Sequence, residues 1–116
     1  DMEKISFLEG VVFNNDATAK ELTHTRVTKE IRVCMRKNAQ MKEHTAPGEI
    51  LIMLISGKIQ VNAHNESTTL ESGDMLYFDA RVPHSLYAEE NSVIRLTLSY
   101  NDTVARVASV ATDKTK

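Results

Sequence analysis

The stretch 43-EHTAPGEILIMLISG-57 decides the fold of this 116-residue chain. Its central run, residues 50–55, is apolar at every position and is bounded by glycines, which is typical of a short strand buried on both faces. The Ser56-Gly57 pair that follows predicts a tight hairpin. His44 lies just before this run, so the stretch brings a titratable ring close to a buried strand.

A second stretch, 73-GDMLYFDARVPH-84, repeats the arrangement. Its strand-like run, residues 75–78, leads into a loop in which Pro83 precedes His84. A proline cannot donate a hydrogen bond to a sheet ladder, so it marks the end of the strand region in each stretch. Together the two stretches predict a small β-barrel with one pocket.

Strand-like runs recur about every ten residues, with turn residues between them. Residues 26–36 alternate between apolar and polar side chains, and residues 58–64 and 93–100 do the same. The other predicted strands are residues 50–55, 68–70, 75–78 and 85–88. This pattern is typical of an all-β sandwich or barrel. Because no helical crossover of about a dozen residues separates the strands, a parallel α/β sheet is disfavoured.

The beginning of the chain has a weaker pattern. Residues 1–25 are interpreted as an N-terminal segment with edge strands at 5–8 and 11–13. Residues 17–24 are expected to form a short helical piece or a loop.

The end of the chain changes its periodicity. Within residues 101–116, apolar side chains recur every three to four positions after a possible cap at Asn101 or Asp102, which predicts a short C-terminal helix and a tail. The length fits one domain with its own core. We therefore expect a single domain over residues 1–116, with the barrel at 26–100.

Composition excludes several classes of partner. The net charge is −2 with no basic cluster, so neither nucleic acid nor an anionic membrane is an expected partner. No apolar run approaches the roughly 20 residues of a membrane span. Cys34 is the only cysteine, which excludes an internal disulfide and favours a cytoplasmic location.

Over about residues 27–100, the two stretches resemble the motifs of the cupin superfamily, whose members are jelly-roll barrels, also called double-stranded β-helices. In the first motif, His44 matches the first histidine and Gly57 matches the closing glycine. Ala46 and Ile50 stand where the family has a second histidine and a glutamate. The first motif is therefore degenerate.

The second motif is degenerate as well. Gly73 and His84 match it, whereas Asp79, Arg81 and Ala88 replace its proline, glycine and asparagine. The resemblance implies a β-barrel whose pocket lies between the two motifs.

The resemblance also implies a divalent metal inside the barrel, such as Zn, Ni, Fe or Mn. His44 and His84 are the two remaining family ligands. Glu49 is a third candidate if a bulge turns its side chain inward. The alternatives are that the histidines are hydrogen-bonded pocket residues, or that they act as acid and base without a metal. No cofactor is therefore certain.

Three functions remain open. The first is a binding module that holds a small organic ligand with His44, His84, Tyr77 and Arg81. The second, implied by the resemblance, is a metal-dependent enzyme of the dioxygenase or isomerase type. The third is an assembly protein whose barrel edge makes a homodimer, since an open edge invites pairing and the family is usually dimeric.

Overall fold

The computed structural model describes residues 1–113, which form two facing antiparallel β-sheets and one short helix in that range. The elements are β1 (Ala17–His24), β2 (Thr28–Met35), β3 (Ala39–His44), β4 (Ile50–Ser56), β5 (Ile59–Ala63), β6 (Glu66–Leu70), β7 (Met75–Phe78), β8 (His84–Ala88), β9 (Ser92–Ser99), α1 (Val104–Ser109) and β10 (Ala111–Asp113). Sheet A has the strand order β1-β2-β9-β4-β7, and sheet B has the order β10-β3-β8-β5-β6.

The strand pairs are nested. β5 pairs with β6, β4 with β7, β3 with β8 and β2 with β9, all antiparallel. The chain therefore follows the path of one long hairpin wrapped into a barrel, alternating between the two sheets. This topology confirms the predicted all-β jelly-roll barrel, or double-stranded β-helix.

The core lies between the inner faces of the two sheets. In β4, Ile50, Ile52 and Leu54 are buried, while the side chains between them are half-buried on the outer face. Burying one such aliphatic side chain stabilises the fold by about 1.5–3 kcal/mol. The apolar run was predicted to be buried on both faces, but only its inward face is fully covered.

The predicted hairpin at Ser56-Gly57 is wrong. β4 belongs to sheet A and β5 to sheet B, so this turn is a corner that carries the chain from one sheet to the other. The hairpin in this region joins β5 to β6 instead. Its turn residues His64 and Asn65 both have positive φ, 53° and 61°, as a type I′ turn requires.

Two expectations for the N-terminal segment are also wrong. Residues 17–24 form the edge strand β1, which pairs with β2, rather than a helix or a loop. Ala17 and Ala19 pack against the core, and this tertiary contact outweighs the helix-forming tendency of Lys20 and Glu21. The expected edge strands at 5–8 and 11–13 are not formed.

The C-terminal helix is shorter than the periodicity suggested. α1 covers Val104–Ser109, and its cap is Thr103, whose side chain accepts the backbone N–H of Arg106. The chain then extends as β10, which pairs with β3 at the edge of sheet B. Residues 114–116 of the predicted tail lie outside the described part of the chain.

Candidate functional site: the histidine pair

The fold brings together His44 and His84, the histidines of the stretches 43–57 and 73–84. His44 ends β3 and His84 begins β8, and their Cα atoms are partners in the register of these neighbouring strands. The ring centroids lie 4.4 Å apart at an angle of 60°. Since β3 and β8 are adjacent only because the chain wraps, this contact is a product of the jelly-roll topology.

Main-chain oxygens fix the orientation of both rings. The Nδ1 atom of His44 lies 2.7 Å from the carbonyl oxygen of Lys42, and that of His84 lies 2.8 Å from the carbonyl oxygen of Val82. A carbonyl oxygen only accepts hydrogen bonds, so each Nδ1 carries the hydrogen. In a neutral ring the other nitrogen, Nε2, is then an acceptor with a free lone pair.

The walls next to the histidine pair are apolar. His84 is only 2% exposed, and the ring of Phe78 stacks on it with centroids 4.9 Å apart and planes inclined by 10°. Phe78 comes from β7 in the opposite sheet, where its in-register partner is the buried Ile50. His44 is half-buried at the end of its strand. The pair therefore lies inside the barrel, between its two sheets.

The surroundings of both rings lower the pKa and so favour the neutral imidazole. Burial lowers the pKa of His44 below its ordinary 6.5; the bond to Lys42 opposes this shift and the Arg106 charge adds to it. Burial also lowers the pKa of His84, the bond to Val82 opposes the shift, and the neighbouring His44 and Arg106 add to it. A second proton so close to a first would be costly, which reinforces the neutral state of the pair.

Helix α1 places an arginine next to this site. Arg106 forms a two-pronged ion pair with Asp102, with Nε–Oδ1 and Nη2–Oδ2 distances of 2.6 and 2.7 Å. Its Nη1 also donates to the carbonyl oxygen of Thr45, the residue after His44. Asp102 is 2% exposed, so the carboxylate of this ion pair is buried. Sequence reasoning missed Arg106, since no motif connects the end of the chain to His44.

A backbone hydrogen bond joins the loops of the stretches 43–57 and 73–84 near the histidine pair. The backbone N–H of Arg81 donates to the carbonyl oxygen of Ala46, with an N···O distance of 2.8 Å. Arg81 has a φ of 64°, an unusual conformation for a residue with a long side chain. Its side chain is exposed. The predicted role of Arg81 in ligand binding stays a prediction.

Tyr77 and Glu49 do not join the histidines. Side chains alternate along β7, so Phe78 points inward and the half-exposed Tyr77 points to the outer face. There the Tyr77 hydroxyl contacts the carboxylates of Glu49 and Asp79, and these contacts raise the pKa of Tyr77. The Glu49 carboxylate therefore lies with Tyr77 on the outer face and is not turned inward. Phe78 is thus the aromatic residue at the pair, and the alternation of the strand was the signal for it.

The donor set does not fit the metal that the cupin motifs imply. A tight divalent site takes three or four protein ligands. In residues 1–113, no group of three or more histidine, cysteine, aspartate or glutamate side chains is placed to share an ion. Ala46 and Ile50, which occupy the other two ligand positions, are buried apolar residues. We derive no metal chemistry for this site.

Two cavities lie near this region. One of about 160 Å³ has Ala63 and Phe78 in its wall, and both are neighbours of His84. A larger groove of about 410 Å³ runs past Leu51 and Tyr77 on the outer face of sheet A. The first is lined by residues that neighbour His84, whereas the second lies on the other face of the sheet, and neither His44 nor His84 is in the wall of either cavity.

Comparisons with known proteins agree with the fold. The family model of the cupin domain matches residues 31–100, which is more than half of the chain, so the chain belongs to the cupin family. No curated protein sequence matches it.

Several solved structures share the barrel. A conserved protein of unknown function from Streptococcus pyogenes, SPY1581, is 18% identical with a TM-score of 0.74, and the match covers 89% of this chain and 91% of that one. An RmlC-like cupin from Desulfovibrio desulfuricans is 16% identical with a TM-score of 0.76, covering 85% and 97%. KdgF from Halomonas sp. is 20% identical with a TM-score of 0.69, covering 84% and 94%. At these identities the likeness shows the fold alone.

Proposed function

We propose that this cupin binds a small organic molecule inside the barrel, against the His44–His84 pair. The proposal depends on one observation above all. His84 is 2% exposed, its Nδ1 is bonded to Val82, and its Nε2 has no hydrogen-bond partner among residues 1–113. An unpaired polar atom inside an apolar wall is costly unless something else pairs with it.

The position of that nitrogen supports a binding role. In the described part of the chain, no side-chain nitrogen or oxygen is both fully buried and without a hydrogen-bond partner. The unpaired Nε2 of His84 is therefore not completely sealed inside the protein but keeps slight contact with water. A second imidazole, His44, lies against it, so two polar groups converge within an apolar barrel, which is the usual composition of a small-molecule site.

The main competing interpretation is that the pair only packs the barrel. The two interpretations differ in what the rings do when a compound is added. We expect a screen of small aromatic fragments by thermal shift to find compounds that stabilise the wild type. A fragment at 100 times its dissociation constant adds about 2.7 kcal/mol, which raises the melting temperature of a chain of this size by roughly 10 °C.

His84→Ala and His44→Ala should abolish this shift, because they remove the acceptors. His24→Ala is the matched control, since His24 is an exposed histidine at the end of β1 and is not in the wall of the 160 Å³ cavity. A shift that survives in both pocket variants would exclude the pair as the binding site. A shift lost equally in His24→Ala would show only a general effect of removing an imidazole.

A homodimer also stays a prediction, and the outer face of sheet A supports it. Met53 and Met75 are in-register partners there, as are Leu51 and Tyr77, and Met75 and Tyr77 are about half exposed. This apolar block is a suitable surface for a second copy. Sedimentation equilibrium should return about twice the chain mass of 13.0 kDa, and a mass of a single chain at micromolar concentration would contradict the dimer.

The cellular location is supported only by the sequence. Among residues 1–113, no helix has both the length and the apolar character that crossing a membrane demands. A cytoplasmic location remains the prediction made from the single cysteine, Cys34, which is buried and free.

A further inference from the structure

The cavity between strands β5 and β6 of sheet B and strand β7 of sheet A has the size of a small binding site. Its volume is about 160 Å³, and its apolar wall includes Val61 from β5 and Leu76 and Phe78 from β7. An apolar cavity of about 150 Å³ is enough for one benzene-sized molecule, whereas drug-sized ligands occupy about 300–1,000 Å³. The volume therefore limits the buried part of a ligand to about one ring.

The register of β6 turns two polar side chains toward this cavity. Thr68 is the partner of Val61, and Glu66 is the partner of Ala63. Directly opposed residues of paired strands have their side chains on the same face. Because Val61 is buried and lines the cavity, Thr68 and Glu66 lie on the cavity side of sheet B, and both belong to the wall. Glu66 thus places a carboxylate at an inward-facing position of the sheet.

Glu66 also lies at the boundary between the cavity and a polar hollow. The hollow has a volume of about 310 Å³ and shares four wall residues with the cavity, which are Ala63, His64, Glu66 and Ser67. Glu43 is in the wall of the hollow as well. Among the described residues, no lysine or arginine lines either space. A cationic group that extends from the cavity into the hollow would therefore meet a carboxylate and no competing basic side chain.

We infer that this cavity binds a primary amine with a compact apolar body of about one ring, the body lying against Leu76 and Phe78 and the ammonium group at the Glu66 carboxylate. In residues 1–113 this carboxylate has no ion-pair or hydrogen-bond partner, so it pairs with the amine without losing another contact. The Thr68 hydroxyl on the same face is a second acceptor for an ammonium group. An anion of the same shape would be repelled by Glu66.

This amine site is distinct from the histidine pair. Neither His44 nor His84 is in the wall of the cavity. The connection between the two sites is Phe78, which lines the cavity and stacks on His84. The inference therefore goes beyond the proposed function and does not depend on what binds at the pair.

The inward carboxylate also has a purely structural interpretation. β6 is an edge strand of sheet B, and an inward-pointing charge on an edge strand discourages pairing with another molecule. The two interpretations differ in the effect of Glu66→Gln, which removes the charge and keeps the size of the side chain. Edge protection alone predicts no change in the affinity for an amine, whereas the amine site predicts a loss.

The test follows three compounds of one shape, benzylamine, benzyl alcohol and benzoate, by NMR titration of protein labelled with ¹³C at the valine and leucine methyl groups. We expect benzylamine to shift the signals of Val61 and Leu76 and to bind most tightly of the three, with benzoate the weakest. In Glu66→Gln, the affinity for benzylamine should fall about threefold to fivefold, as for a partly screened ion pair, and that for benzyl alcohol should not change. Glu71→Gln is the matched control, because it removes the same charge at an exposed position outside both walls.

Several results would overturn the inference. These are tighter binding of benzoate than of benzylamine, an unchanged affinity for benzylamine in Glu66→Gln, and an equal loss in Glu71→Gln. Shifts confined to Leu51 would place the amine in the groove on the outer face of sheet A and would overturn it too. Loss of binding in His44→Ala without loss in Glu66→Gln would place the amine at the histidine pair, which supports the proposed function and overturns this inference. If none of the three compounds shifts Val61 or Leu76, the amine site is wrong, while the His44 and His84 variants still decide the proposed function separately.

Discussion

Replacing Gly57 with alanine is expected to cost more than about 4 kcal/mol, a loss that single substitutions rarely reach. Gly57 has a φ of +100°, and a Cβ atom added there would lie 2.4 Å from the carbonyl oxygen of Asn91 and 2.7 Å from the Cα atom of Ser92. Both are main-chain atoms, so neither can turn aside as a side chain would. The corner between β4 and β5 would have to move away from the start of β9.

Gly73→Ala is the matched control for this substitution. Gly73 also has a left-handed conformation, with a φ of +94°, but no atom lies within 4 Å of an added Cβ. Its cost should be the conformational one, about 1–2 kcal/mol. Urea unfolding of the two variants measures both losses, and equal losses would show that the Gly57 corner is not packed as described.

The second large effect is expected at the ion pair beside the histidines. In Arg106→Ala, the Asp102 carboxylate would stay buried without its partner, and leaving one charge of a buried pair unpaired costs about 3–5 kcal/mol. Within residues 1–113, the Asp102 carboxylate would keep only the bond from the backbone N–H of Thr103. We therefore expect the free energy of unfolding to fall by about 3 kcal/mol, with α1 detaching from the barrel.

Two variants control for this effect. Lys58→Ala removes an exposed pair with Glu89, in which the charged atoms are 3.9 Å apart, and should change stability by no more than about 1 kcal/mol. The double variant Asp102→Asn, Arg106→Ala removes the stranded charge and should be more stable than Arg106→Ala alone. If the double variant is instead the less stable of the two, the cost comes from lost packing and not from a buried carboxylate.

Much of the fold could be predicted because its signals are local. Alternation in residues 26–36 and 93–100 is a consequence of one sheet face lining the core and the other being only partly covered, and it identified β2 and β9. The predictions that were wrong concern features that depend on contacts between residues far apart in the sequence. The Ser56-Gly57 turn has the sequence of a hairpin, but whether its flanking strands pair is decided by β7 and β9, which take both edges of β4.

The candidate site was likewise predicted only in part from the sequence. The resemblance to cupin motifs singled out His44 and His84, and the wrapped topology does bring them together. Tyr77 was chosen for its polar tip, although strand alternation places its neighbour Phe78 on the inner face. Arg106 could not have been found from any local pattern, since it reaches the loop after His44 only through the docking of α1 on the barrel.

The most direct test of the binding site is to locate the bound fragment by nuclear Overhauser effects. With the tightest-binding fragment at saturation, the proposed site predicts contacts from the fragment to the ring protons of both His44 and His84, and to the Phe78 ring stacked on His84. Contacts confined to Leu51 and Tyr77, with both imidazole spectra unchanged, would place the ligand in the groove on the outer face of sheet A. That result would contradict a pocket at the histidine pair.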